Sequence, residues 1–327
     1  MSWKNRVTLI PYLLSQGLSN AMTAVVEAID LNSITRQLRG GQPVVVKRRN
    51  VAGGGLAKMA NGYFRSAQIP ISYLSDVKKW QRREIGSFNM LNGDRFRARA
   101  SGERAIIQDK LPGENLWHHM KKGTLSREML EATGRELHRA HQFWSDDFSE
   151  RWSHGDASAP NAIYDERTGR VRWIDFEILH KKCLPAVDRH ADDLLVFLLD
   201  MVGQVSNREW LSFALCFLRA YGYGGVIEEL RKRLILPGGL GWVWWQVRTD
   251  FTPLAKVEER LTALYCVIGQ LKIHPATRAR ARQSRRPSIH CQKISPGTPR
   301  ASSRTRPIKE RAKASSPGIP RRPPTKR

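Results

Sequence analysis

Two runs of the chain decide how it is read: Ser153-His154-Gly155-Asp156-Ala157-Ser158-Ala159-Pro160-Asn161, and then Val171-Arg172-Trp173-Ile174-Asp175-Phe176-Glu177. Between and within them, residues 162–164 and 171–174 have strand-forming composition, and residues 166–169 carry a turn signal. A hairpin therefore follows the first run. Asp156 and Asn161 fall on the loop before it, and Asp175 falls just after it. Three groups able to handle a proton or hold a metal ion converge near one end of the hairpin.

Upstream, residues 24–30 and 33–38 are strand-like, and Arg39-Gly40-Gly41-Gln42-Pro43 is a turn signal. Pro43-Val44-Val45-Val46-Lys47 is a β-branched strand ending in a lysine. Gly53-Gly54-Gly55 reads as a flexible strand-to-helix loop, and Leu56-Ala57-Lys58 after it does not complete a phosphate-binding P-loop. A helix is predicted from Asp76 to Leu91, with Ser75 as its cap. Val77, Trp80, Glu84, Ile85, Phe88 and Leu91 recur there at three-and-four spacing. Residues 95–100 and 104–109 read as two more strands. Past the break at Leu111-Pro112-Gly113 the pattern turns helical, over residues 126–144, 207–221, 226–234 and 254–271. The fold class expected is α+β in two lobes: a sheet-rich lobe over residues 1–110, a helical lobe over 111–275, and a tail over 276–327.

Phosphoryl transfer needs a set of the kind found at the hairpin. One carboxylate positions the attacking hydroxyl; an amide and a second carboxylate hold Mg²⁺ on the nucleotide phosphates. Here the chain resembles the protein-kinase-like superfamily, whose catalytic loop has the form H-x-D-x-x-x-x-N, followed by a hairpin and an Asp-Phe-Gly-type turn. His154, Asp156 and Asn161 match that loop, and Asp175 matches the metal-binding aspartate. The resemblance implies that Asp156 is the catalytic base, that Asn161 and Asp175 bind Mg²⁺, and that His154 braces the loop. It implies that Lys47 anchors the phosphates of ATP and that Glu84 is its ion-pair partner. In the family a residue like Asp192 or Asp193 bonds the catalytic-loop backbone. Read on their own, the two fit an N-cap of a helix over 194–202, a structural role either way. The resemblance covers residues 24–200.

The departures refine the branch. No glycine lies between Asp30 and Thr35, where the family places its glycine-rich loop, and Glu177 stands where the metal turn has glycine. Ile-Asp-Phe-Glu, His-Gly-Asp and the linker Leu111-Pro112-Gly113-Glu114-Asn115-Leu116 are similar to the aminoglycoside, choline and fructosamine kinase branch. The Lys47 strand and Trp80-Gln81-Arg82-Arg83-Glu84 look more like lipopolysaccharide core and 3-deoxy-D-manno-octulosonic acid kinases. Sixteen residues separate Asp175 from Asp192, too few for a peptide-docking activation segment. The acceptor implied is a hydroxyl of a sugar, glycolipid or other small molecule. The alternatives are an atypical protein serine/threonine kinase and a pseudokinase scaffold that only binds nucleotide.

The 327 residues carry a formal charge of +25, unevenly placed. From Thr277 onward there are sixteen lysines and arginines, eight prolines and one acid, Glu310. Such a composition cannot bury enough apolar surface to order itself, so a disordered basic arm is expected. Without aromatic residues for base stacking it carries no specific nucleic-acid signature. It suits non-specific contact with an anionic membrane surface or other polyanion. Lys4 and Arg6 before an apolar stretch broken by Pro11 suggest a short leading helix or strand rather than a secretory leader. Four scattered cysteines make no CxxC pair, which favours a reducing compartment. The expected location is cytoplasmic, with peripheral attachment at the inner face of the membrane through the tail. Trp242, Trp244 and Trp245 read as core packing ahead of an interfacial anchor. His138 and His141 share a helix but bring no third metal ligand.

Overall fold

Strand β1 (Asn32–Arg39) and strand β2 (Gln42–Arg49) pair antiparallel across a Gly40-Gly41 turn. They belong to the computed structural model of the protein, which describes residues 31–271. The expected strand over 24–30, the leading element and the basic tail lie outside the described residues. Along β2 the two-residue period decides the site. Val44 and Val46 enter the sheet's own small core, while Val45, Lys47 and Arg49 point to the opposite face.

The run Gly53-Gly54-Gly55 is not a loop. It forms the first turn of helix α1 (Gly53–Ser66). A Cβ at Gly53 would stand 2.8 Å from the Leu31 carbonyl oxygen, so glycine lets the helix start directly against β1. Strand β3 (Ile71–Tyr73) follows, then helix α2 (Val77–Asn92). Asp76, not Ser75, caps α2 by accepting the Lys79 N–H at 2.8 Å. Trp80, Glu84, Phe88 and Leu91 are buried along one face of α2. Strands β4 (Ala98–Ala100) and β5 (Ala105–Asp109) complete a four-stranded sheet of order β1-β2-β5-β4. The sheet-rich part thus holds two helices where one was expected.

Beyond Leu111-Pro112-Gly113 come β6 (Glu114–Asn115), α3 (Leu116–Lys122) and α4 (Arg127–His141), the last capped by Ser126. A small hairpin, β7 (Trp144–Ser145) with β8 (Glu150–Arg151), precedes the loop that carries Asp156. The expected hairpin is present as β9 (Ala162–Asp165) and β10 (Arg170–Trp173), with β6 on the free edge of β9. Strand β11 (Ile178–His180) then pairs with β3, tying the segment after Asp175 to the sheet-rich part. Helices α5 (Ala186–Gln204), α6 (Asn207–Tyr221), α7 (Gly224–Lys232), α8 (Gly239–Arg248) and α9 (Leu254–Ile268) complete the described chain. The architecture is mixed α/β, with a sheet-rich and a helical part as expected. Helix α5 begins eight residues before the expected 194, so Asp192 and Asp193 lie inside it and cap nothing.

The main core joins Phe88 and Leu91 of α2 to Val171 and Trp173 of β10 and to the apolar faces of α5 and α6. Trp152, Trp173 and Phe176 are essentially inaccessible to water. At roughly 1.5–3 kcal/mol for each large buried apolar side chain, these aromatics hold the hairpin and its flanking loops against the helices. Trp245 is buried and Trp244 stands edge-on to Phe64 at 5.1 Å, so the tryptophan cluster packs inward. No helix among the described residues is long and apolar enough to cross a membrane.

Candidate active site

Lys47 reaches from β2 into a cluster of carboxylates. Its Nζ lies 2.8 Å from Glu84 Oε1 and 2.5 Å from Asp175 Oδ1. Burial opposes the lysine charge, but Asp175, Glu84 and Glu177 outweigh it and raise the Lys47 pKa above the ordinary lysine value. Glu84 is 1% exposed and also accepts the Phe176 N–H at 3.2 Å. Burial pushes its carboxyl upward, against the pull of Lys47. For Asp175 burial works in the same sense, yet Lys47 prevails and its carboxyl is lowered. Asp175 has φ of 66°, in the left-handed region that a non-glycine residue seldom enters. Such a conformation costs on the order of 1–3 kcal/mol and persists where its surroundings hold it. The holding bonds are Ile174 N–H to the Asn161 carbonyl and Phe176 N–H to Glu84.

The loop carrying Asp156 is fixed from below. His154 is buried among Trp152, Trp173 and Phe176. Its Nδ1 accepts the Asp156 N–H at 3.3 Å, so the proton sits on Nε2, which donates to the Ile174 carbonyl at 3.1 Å. Gly155 has φ of 87°, and a Cβ there would stand 2.5 Å from the Ile178 carbonyl oxygen. Asp193 reaches up from α5 and accepts the N–H groups of His154 (2.8 Å) and Gly155 (2.9 Å), with His141 Nε2 at 3.0 Å. Asp192 pairs instead with His180 Nε2 at 3.0 Å. Asp200, which the sequence reading missed, accepts the Ala159 N–H at 2.6 Å.

At the top of the loop, Asn161 Nδ2 donates to the Asp156 carbonyl (3.0 Å) and to Asp156 Oδ2 (3.1 Å). No hydrogen bond among the described residues occupies Asn161 Oδ1. Asp156 Oδ1 accepts from Arg248 Nη1 at 2.6 Å. Arg248 belongs to α8 and was not anticipated. Arg49 was also missed: it shares a strand face with Lys47, bonds Glu177 at 2.7 Å and lies over the Trp80 ring. Glu177, standing where the resembled turn has glycine, thus has a definite partner.

Lys47, Glu84, Asn161 and Asp175 line one wall of a cavity of about 700 Å³, with Val45 and Ile163 among its apolar lining. Arg36, Lys110 and Lys121 add positive charge to the lining. The carboxylates of Glu84, Asp175 and Glu177 come within 4.8 Å of one another and could together hold a cation. However, Glu84 and Glu177 are already matched by Lys47 and Arg49. The expected pair fits Mg²⁺ better: Asp175 has a side chain 34% exposed, and Asn161 offers an oxygen without a partner.

The buried imidazoles give the site a pH signature. Burial lowers His154 to about 4 and His190 to about 2, and lowers His141 as well. The unfolded chain would protonate these rings near pH 6.5, whereas the folded chain does not. The contribution of these rings to stability should therefore be full above pH 6.5 and fall as pH drops toward 4, while the upward-shifted carboxyls of Glu84 and Asp200 act in the opposite sense. His154 alone accounts for up to about 3 kcal/mol of that loss. Urea melts of the protein and of His154→Gln at pH 7 and pH 5 check this: between the two pH values the unaltered protein should lose more stability, or gain less, than the variant.

No family model matches the chain, and no curated protein sequence is similar to it. Among solved structures, an ethanolamine kinase of Plasmodium vivax is similar at 10% identity and a TM-score of 0.39, covering 73% of this chain and 84% of that one. Rv3197 of Mycobacterium tuberculosis, solved in complex with erythromycin, is similar at 15% identity and a TM-score of 0.32, covering 73% and 71%.

Proposed function

We propose that the protein is an ATP- and Mg²⁺-dependent phosphotransferase of the protein-kinase-like kind, acting on a hydroxyl of a sugar, lipopolysaccharide or other glycolipid, or another small molecule. The observation that carries this reading is the placement of Lys47 between Glu84 and Asp175 on the wall of a cavity that also holds Asn161. A buried, permanently charged lysine facing a cavity of nucleotide size is suited to binding phosphate.

Asn161 Oδ1 and Asp175 would hold Mg²⁺, which when bound neutralises the β- and γ-phosphate oxygens. Lys47, steadied by Glu84, grips the phosphates. Asp156 orients the acceptor hydroxyl and takes its proton. The Asp193 bonds to the loop backbone keep Asp156 from drifting, and preorganisation of this kind matters because displacement by about 1 Å can cost on the order of a hundredfold in rate. Between Asp175 and Ala186 the chain forms only β11 and a short link, which supports a small acceptor over a docked peptide. The basic stretch from Thr277 onward is assigned, on charge alone, to contact with an anionic surface.

Calorimetry with Mg·ATP tests the nucleotide half of this reading. Saturable binding is expected, weakened at least tenfold when Mg²⁺ is chelated. Absence of binding, or binding indifferent to Mg²⁺, would remove Asn161 and Asp175 from their roles.

A further inference from the structure

Arg248 differs from the other arginines held inside the protein. Arg49, Arg83, Arg172, Arg189 and Arg260 are buried, and each bonds protein oxygens through both terminal guanidinium nitrogens. The Arg248 side chain is 11% exposed, yet among the described residues it makes a single hydrogen bond, from Nη1 to Asp156. Its Nε is buried without a partner, a property it shares with Arg49, Arg83 and Arg189. The distinguishing atom is Nη2, to which no hydrogen bond among the described residues is made. Nη2 thus keeps its N–H donors for an oxygen of a carboxylate or phosphate, a charge-assisted bond.

The surroundings fix the guanidinium in place. The guanidinium lies 4.6 Å from the Trp244 ring centroid, and Trp244 is itself braced by Phe64. Tyr73, on β3, interacts electrostatically with both Asp156 and Arg248, and its hydroxyl makes no hydrogen bond among the described residues. Asp156 and Asp200 both face Arg248 and would repel an anion. Burial lifts Asp200 to about 7, so near neutrality much of its repulsion is absent. Neither Arg248 nor Asp156 lines the 700 Å³ cavity, so the unpaired nitrogen is not part of the wall that faces the nucleotide position.

We propose that Arg248 reads the acceptor: Nη1 keeps Asp156 oriented, while Nη2 holds an anionic group carried by the same molecule whose hydroxyl Asp156 orients. The acceptor is then an anionic hydroxyl compound, such as a sugar acid or a sugar phosphate. This inference rests on the phosphotransferase reading for the role of Asp156.

The test uses the full chain with Mg²⁺ and a non-hydrolysable ATP analogue. Binding of glucuronate, glucose 6-phosphate and glucose is measured by calorimetry for the unaltered protein, Arg248→Gln and Arg248→Lys. At least one anion should bind tenfold or more tightly than glucose, and which one does separates carboxylate from phosphate. Arg248→Gln should erase that preference; Arg248→Lys, which keeps the charge but loses the fork, should retain part of it. A purely structural Arg248 would leave the preference intact and change only the melting temperature. Anions binding no better than glucose would overturn the proposal, and so would a preference unchanged in a folded Arg248→Gln. If that variant does not fold, an unchanged preference in Arg248→Lys serves the same purpose. Should the ATP analogue fail to bind while the Arg248-dependent preference holds, the nucleotide reading has failed and the anion site has not.

Discussion

Asp156→Asn should reduce phosphate transfer by about 10²–10⁴-fold while leaving Mg·ATP affinity within a few-fold of the original. The substitution keeps the shape of the side chain and removes its charge, and with it both the capacity to take a proton and the ion pair with Arg248, whose Nη1 can still donate to the amide oxygen. Lys47, Glu84 and Asp175 are untouched by it, and Asn161 keeps an oxygen partner. The loop backbone stays anchored through His154 and Gly155 to Asp193. Transfer from γ-labelled ATP and calorimetric ATP binding, measured on the same preparation, separate chemistry from binding. A variant with undiminished transfer would take Asp156 out of its role. Joint loss of transfer and ATP binding would show that the residue serves the cleft and not the acceptor.

Lys47→Met should damage both stability and nucleotide binding. Glu84 is 1% exposed, and removing the lysine leaves its carboxylate buried without its ammonium partner. Breaking a buried pair from one side costs about 3–5 kcal/mol. For a domain of this size that corresponds to a fall in melting temperature of roughly 6–20 °C. Mg·ATP binding should become undetectable. Adding Glu84→Gln removes the stranded charge, so the double variant should recover part of the melting temperature and none of the ATP binding. Thermal melts of the single and double variants check the first point and calorimetry the second. A Lys47→Met protein that melts like the original would mean that the Lys47–Glu84 pair does not hold this wall of the cleft.

The parts of the site legible in the sequence were those governed by local spacing. Asp156, Asn161 and Asp175 flank a hairpin whose strands and turn announce themselves, so their convergence follows from a few residues of chain. Lys47 and Glu84 were reachable because one ends a β-branched strand and the other sits on a helix with a clear apolar period. Arg49 could have been found by carrying the two-residue period of β2 one step past Lys47. Arg248 could not. It lies 92 residues from Asp156, and its only local sign is the four-residue spacing from Trp244. The start of α5 was misplaced because Arg189, His190 and Asp193 are buried with polar partners, which interrupts the hydrophobic period that marks a helix face. The glycines of α1 carry high helix cost in isolation; close approaches to the carbonyl oxygens of Leu31 and Ser75 explain Gly53 and Gly54, and no close contact explains Gly55.

The most direct test of the central claim is transfer of labelled γ-phosphate from ATP across a panel of sugars, sugar acids, lipopolysaccharide core, aminoglycosides and a generic protein. Transfer to a non-protein hydroxyl acceptor is expected, dependent on Mg²⁺ and lost in Asp156→Asn. Nucleotide binding with no transfer to any member of the panel would contradict it and leave a nucleotide-binding scaffold.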